Sequence, residues 1–292
     1  MEMSKMDKKT KIKLKEEFLN QLQSFAKELH NYVSTQDNQW VIKGFIDVFK
    51  NIYTITSDTK IVSKVIEIHL FPKFLEFANK HGYKMIFADK QNWYPDITFI
   101  SKKDERIKFA VDLKTTYITK YKDGKPCGCN GFTLGSHGTY FIDRQSTKNI
   151  QFSYSEYLGH YVLGILYERG HATKIDETKK YKIKELENIP SVIKNFVFFA
   201  HEKWQIASDK SGSGNTANIG SVKRIKDLLE GKGIFWQYFG ENGEEWFDEY
   251  WMNYGKITIK DNKTGKTKKM TSLKEFLRFK GIDLSEIKKR GI

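Results

Sequence analysis

Apolar residues recur every three or four positions near the start of the chain, as Phe18, Leu22, Phe25, Leu29 and Tyr32. That spacing lines one face of a helix and predicts an amphipathic helix over residues 11–33, its stripe suited to a core or a dimer surface. Ser57 or Asp58 supplies an N-cap for a second helix carrying Ile61, Val62, Val65, Ile66 and Ile68. Pro72 is expected to kink or divide that helix, because proline removes a donor and crowds the preceding turn. The pattern then changes. Residues 83–88, 96–100, 107–113, 161–167 and 196–200 are short apolar runs rich in aromatic and β-branched side chains, which predict strands. The glycine-dense residues 124–138 read as a loop or hairpin, and residues 210–221 as a loop. Helical spacing returns over 222–229, 244–254 and 273–279, the last preceded by Ser272 with Glu275 three positions on, a capping box. Between 256 and 269 lies a lysine-heavy linker or hairpin. The sum is an α/β fold, a mixed sheet flanked by helices.

Length and charge sharpen this picture. The 292 residues suffice for one large domain or two modest ones. Lysine and arginine number 50 against 36 acids, a formal net charge of +14. Such an excess suits a polyanion, either a nucleic acid or an anionic membrane surface, though a basic protein that is merely soluble fits it too. No apolar run approaches a membrane span, and no apolar stretch follows the charged start, so a soluble intracellular protein without membrane attachment is expected. Cys127 and Cys129 stand too close for an ordinary disulfide and lack the second pair of a zinc site, so reduced thiols without a catalytic task are expected.

The candidate chemistry begins at Pro95-Asp96, where a polar turn feeds a strand. Asp112-Leu113-Lys114 follows at the end of the apolar run 107–111. Alternate strand residues share a face, so Asp112 and Lys114 project together. If the strand after Asp96 lies beside theirs, two carboxylates and an ammonium converge. Paired carboxylates suit Mg²⁺, which prefers oxygen ligands, and the set suits phosphodiester hydrolysis. An acid two positions before a lysine occurs eight times in the chain, so context alone singles out Asp112. Strand-end carboxylates paired to lysines are the alternative. A second run, Gly212-Ser213-Gly214-Asn215-Thr216-Ala217-Asn218, lacks the lysine of a phosphate loop. Its asparagines and threonine have the groups that read adenine and the thymine methyl, and a plain surface loop is the alternative.

Taken in order, these segments resemble the EcoRV-type type II restriction endonucleases of the PD-(D/E)xK superfamily. The likeness runs through Ser57-Asp58-Thr59-Lys60, Glu67, Lys80-His81-Gly82-Tyr83, Gln91-Asn92, Tyr94-Pro95-Asp96 and Asp112-Leu113-Lys114-Thr115-Thr116-Tyr117. It continues through Thr147-Lys148-Asn149-Ile150, Lys203-Trp204, the run from Gly212 to Ser221, and Glu230-Gly231-Lys232-Gly233-Ile234-Phe235. It spans residues 57–254, leaving the first fifty or so residues and the last thirty-five or so without matching motifs.

The resemblance implies a restriction-endonuclease-like fold, with a central mixed sheet between helices, and a prokaryotic cytoplasmic enzyme. It implies a homodimer clasping double-stranded DNA, and a cognate methyltransferase protecting host DNA. Asp96 and Asp112 would hold Mg²⁺, with Mn²⁺ able to substitute. Lys114 would complete the catalytic set and Glu67 would add an accessory carboxylate to the metal site. Gly212, Ser213, Gly214, Asn215, Thr216 and Asn218 would read base edges in the major groove. Gln91 and Asn92 would approach the minor groove, and Lys60, Thr116 and Lys148 would bind the DNA, the latter two at the backbone. The implied target is GATATC, cut bluntly at its flexible central TpA step. Lys90, in place of the family's glutamine, and residues 120–130 depart from the pattern. The implied parts are residues 1–56, a helical extension for dimerisation, 57–255, the nuclease core, and 256–292, a basic helical segment. A catalytically inactive DNA-binding protein and a structure-specific repair nuclease of the same fold are the alternatives.

Overall fold

Asp7 caps the first helix, its carboxylate accepting the Thr10 N–H at 2.9 Å, and α1 runs over Lys8–Val33. Asp58 caps the second, accepting the Lys60 and Ile61 N–H groups, and α2 runs over Thr59–His81. Gly82 ends α2 in the left-handed conformation that glycine adopts without strain. The computed structural model in which these elements lie describes residues 6–90, 92–170, 176, 178–212, 215–260, 265–282 and 287.

Five strands build the central sheet: β3 (Tyr83–Phe87), β4 (Ile97–Ser101), β5 (Lys108–Lys120), β8 (Tyr157–Arg169) and β10 (Ile193–Glu202). Their order is β10-β8-β5-β4-β3, with β6 (Pro126–Cys129) folded back on the far end of β5. Only the β5–β8 pair is parallel, so the sheet is mixed, as the sequence predicts. A satellite sheet joins β1 (Gly44–Ile46), β2 (Asn51–Thr54) and β9 (Lys180–Lys182). A third contains β7 (Thr133–Ser136), β11 (Ala207–Gly212) and β12 (Asn215–Ser221), and β13 (Thr258–Lys260) pairs with β14 (Thr267–Lys269). The remaining helices are α3 (Thr139–Ile142), α4 (Ile225–Glu230), α5 (Ile234–Phe239), α6 (Gly243–Asn253) and α7 (Leu273–Phe279).

Strand alternation gives the central sheet two cores. Phe99, Phe109, Val111, Tyr161, Leu163 and Ile165 face α1 and α2, where Phe18 stacks on Phe109 with ring centroids 4.0 Å apart. Burying each such ring is worth about 1.5–3 kcal/mol. Ala110, Val162, Leu166 and Phe199 face the other way, onto α5, α6 and α7 through Phe235, Phe247, Tyr250 and Phe276. Lys15 ties the two halves together: its ammonium lies 2.7 Å from Glu202 at the end of β10 and 2.6 Å from Glu244 on α6.

Four expectations change. Pro72 does not divide α2, which continues through it. Pro72 and Ile68, whose carbonyl loses its i+4 donor, both lie on the exposed side, where water can replace the missing bond. Within the expected loop 210–221, residues 210–212 and 215–221 are strand and belong to the β11–β12 pair. Gly220 serves close strand packing there, since a Cβ would meet the Lys210 carbonyl oxygen at 2.5 Å. Helix α4 starts at Ile225, so residues 222–224 are outside it. Finally, β5 continues to Lys120, so Asp112 and Lys114 sit in mid-strand.

Candidate active site

The register of β4 on β5 assembles the site. Ile97 faces Val111, which brings Asp96, one residue before β4, beside Asp112. Ile97 and Val111 point into the α1–α2 core, so Asp96 and Asp112 fall on the opposite face. The Asp96 N–H lies 3.3 Å from Asp112 Oδ1, and the Leu113 N–H donates to Asp96 Oδ2 at 2.8 Å. Lys114 emerges on the same face, its Nζ 2.8 Å from Asp112 Oδ2 and 3.9 Å from Asp96 Oδ2. The predicted convergence of two carboxylates and an ammonium is therefore present. Asp112 is 5% exposed, while Asp96 is half-buried.

The electrostatics follow from this crowding. Burial, then the neighbouring Asp112 charge, push the Asp96 carboxyl up to about 6, against the pull of Lys114 and the Leu113 N–H. Burial works against the Lys114 charge, but Asp112 and Asp96 outweigh it and raise its pKa above the ordinary lysine value. Two carboxylates held this close, one of them reluctant to ionise, form a site short of positive charge. Their all-oxygen donor set suits a hard cation such as Mg²⁺, which keeps several waters and needs few protein ligands. Among the described residues no group of three or more His, Cys, Asp or Glu side chains is placed to hold a metal by itself.

The triad lines a cleft of about 960 Å³ together with Glu67, Lys90, Asn92, Ser136, Asn149 and Asn218. Glu67 reaches it from α2, its carboxylate 2.7 Å from Lys64. A hydrogen bond between Ser63 and Thr115 hydroxyls fixes α2 against β5 one turn away. Asn92, with φ of 70°, stands on the turn before Asp96. Asn218 reaches the cleft from β12, paired in register with Ser136 on β7. A groove of similar size, about 1060 Å³, lies between α1 and α2, far from these carboxylates.

The other expected site residues scatter. Lys60 is exposed in the first turn of α2, and Lys148 is exposed beside Asn149. Thr116 does not line the cleft; it is buried, and its hydroxyl donates to the Asn130 carbonyl at 2.6 Å. Gly212 ends β11 and faces Asn215 in register, while Thr216 is exposed. Gln91, Ser213 and Gly214 lie outside the described residues. The sequence reading missed Lys203, which is buried behind Tyr94 on the same face. Its signals were the Lys203-Trp204 pair among the segments of the resemblance and its place just past the end of β10.

Comparison with known proteins places these features. The family model for restriction endonuclease EcoRV matches residues 36–281. It thus reaches beyond the motif-bearing stretch 57–254 on both sides. The type II restriction enzyme EcoRV of Escherichia coli is 38% identical over 232 residues, covering 79% of this chain and 89% of that enzyme. Among solved structures, NlaIV restriction endonuclease aligns with a TM-score of 0.33 at 11% identity, over 80% of this chain and 87% of that one.

Proposed function

The chain belongs to the EcoRV family of type II restriction endonucleases, a deoxyribonuclease by descent, and from that premise we propose its target, cofactor and assembly. It cuts double-stranded DNA at GATATC, at the central TpA step, leaving blunt ends with 5′-phosphates. The observation that carries the chemistry is the Asp96–Asp112–Lys114 convergence in a cleft shared with Asn218 of the reading hairpin. The run Gly212-Ser213-Gly214-Asn215-Thr216, one of the segments that carry the family resemblance, supports the same target.

Asp96 and Asp112 are the residues that would hold Mg²⁺, with Glu67 as a nearby accessory carboxylate. The chemistry Mg²⁺ supplies is a more acidic bound water, a grip on the phosphate and neutralised charge on the leaving oxygen. Lys114, kept protonated by its two neighbours, places a fixed ammonium where charge grows on the phosphate. Lys60, Asn92 and Lys148 would attract or grip the duplex around the cleft, and Gln91 and Thr216 would complete its contacts. The net charge of +14 favours approach to DNA in the bacterial cytoplasm. No helix among the described residues is long and apolar enough to cross a membrane.

A homodimer suits a palindromic target, because a twofold enzyme matches a twofold site. The satellite sheet supports it. Its small core is Ile52, Tyr181 and Ile189, but Phe45, Ile46, Val48 and Phe49 face outward. Val48 is 89% and Phe49 79% exposed, side chains that a monomer would leave in water.

The test is a digest of a plasmid with one GATATC site beside a matched plasmid lacking it, with Mg²⁺ present and the ends sequenced. Blunt ends at TpA in the first plasmid alone are expected. Cutting elsewhere would overturn the target, and cutting at branch points regardless of sequence would favour a structure-specific nuclease. Binding without cutting would favour the inactive alternative.

The raised pKa of Asp96 makes a further prediction. Protons and Mg²⁺ compete for this carboxylate, so at limiting Mg²⁺ the cleavage rate falls as the pH drops through about 6. Additional Mg²⁺ restores it. An acid limb that ignores the Mg²⁺ concentration would remove Asp96 from the ligand set.

A further inference from the structure

Directly behind the carboxylate pair lies a lysine that hydrogen bonding does not explain. Lys203 is 2% exposed, and its ammonium has no hydrogen-bond partner among the described residues. It rests instead among rings, 5.1 Å from the centroid of Tyr94, 5.4 Å from Phe141 and 5.6 Å from Tyr154. Cation–π contact offsets part of the lost hydration, but an ammonium buried without hydrogen bonds remains costly. A methionine of similar length would pack the space without that cost.

The position of this cage gives the cost a purpose. Tyr94 is two residues before Asp96, and its backbone is clamped on both sides: its N–H donates to Asn149 O at 3.1 Å, and its carbonyl accepts from Gln151 at 2.8 Å. Its hydroxyl meets His160 Nδ1 at 2.9 Å. Across the cage stands Gly135 of the cleft wall, so close that a Cβ there would lie 3.6 Å from the Lys203 nitrogen. Resting on the reading that Asp96, Asp112 and Lys114 cut DNA, we propose that Lys203 is a positioning residue for cleavage. Its buried cation holds the Tyr94 turn that delivers Asp96 and sets a positive charge behind Asp112.

The charges around Lys203 agree with this role. Burial works most strongly against its proton, followed by the opposing pull of Asp112 on β5, then the push of Arg144, the pull of Asp248 on α6 and the push of Lys114. Arg144 and Asp248 pair with each other at 2.9 Å, and half-buried His160 on β8 is held neutral, mainly by desolvation and then by Lys203 itself. Asp112 is thus the strongest attraction Lys203 has. The balance lowers the Lys203 pKa to about 7, so its charge is present at neutrality only in part.

The test is Lys203→Met in the full chain, with Lys203→Gln beside it and Asp112→Ala as the control for the site itself. In the wild type the folded state gives up this proton near 7 and the unfolded state near 10.5, so the burial cost is greatest below about 7 and fades above it. Lys203→Met is therefore expected to melt higher than the wild type at acid pH, with the gap closing as the pH rises. Its single-turnover cleavage at saturating DNA should fall at least about tenfold, as misplacement of reacting groups does. Binding of a GATATC duplex without divalent cation should change little, so the loss is in kcat and not in KM. A neutral-range inflection in the wild-type rate profile should vanish in the variant. Unchanged cleavage by Lys203→Met would overturn the proposal. So would failure of both variants to fold, or melting below the wild type at every pH, since either makes Lys203 structural. Cleavage retained by Asp112→Ala would instead refute the site reading and leave Lys203 out of the question.

Discussion

Asp112→Ala is expected to lose cleavage by at least about a thousandfold, the upper end of what one aimed electrostatic group supplies, while duplex binding persists. The reason is local. Asp112 is the more buried carboxylate, accepts the Asp96 N–H and anchors Lys114. Without it Asp96 is left with only the accessory Glu67 beside it in the cleft, and Lys114 swings toward Asp96, 3.9 Å away, the other carboxylate within salt-bridge range. Asp112→Asn separates shape from charge: its amide oxygen still accepts from Asp96, yet it offers no carboxylate to a cation. The asparagine variant should therefore keep the fold and fail almost as completely. Single-turnover cleavage of a labelled duplex, read beside gel-shift binding, decides the matter; full activity in either variant would remove Asp112 from the chemistry.

Phe49→Asp is expected to convert a dimer to a monomer. Phe49 and Val48 cap a turn of the satellite sheet with almost all of their surface in water. A central aromatic anchor in an interface is typically worth about 2–4 kcal/mol, a weakening of roughly 30- to 1,000-fold in self-association. The site lies on a different sheet, so the variant keeps its carboxylates but not the paired placement that cuts both strands at once. Sedimentation equilibrium gives the assembly state, and supercoiled plasmid distinguishes nicked from linear product. A monomeric wild type would overturn the dimer, and a variant that remains dimeric and linearises plasmid would place the subunit contact elsewhere.

Much of this was legible because burial writes itself into periodicity. The stripe through Phe18, Leu22, Phe25 and Leu29 is the buried face of α1, and Asp58 is the cap of α2. The five central strands show as apolar runs because both sheet faces are covered. What escaped did so for physical reasons. Beyond Leu113 the polar residues Lys114, Thr115 and Thr116 interrupt the apolar pattern, so the run looked finished while the strand continued to Lys120. β1, β2 and β9 are three or four residues long and half exposed, too short for a pattern. The β11–β12 hairpin carries glycine and serine because its strands and β7 pack closely, and such residues imitate a loop. In the site, Pro95-Asp96 and Asp112-x-Lys114 were readable as motifs, but their meeting depends on the β4–β5 register, which only the fold supplies. Thr116 and Lys203 carry polar side chains in buried places, and residue type alone suggests the opposite.

Asn218 belongs by sequence to the hairpin proposed to read DNA and by position to the cleft of the carboxylates, where it pairs with Ser136 of β7. Under the proposed function, recognition and hydrolysis therefore share a wall and are not separable modules. An attempt to retarget this enzyme by rebuilding residues 212–218 would also be redesigning a wall of the cleft that holds Asp96, Asp112 and Lys114. Variants chosen for a new word in the DNA must keep the β7–β12 register, or they will learn to bind without learning to cut.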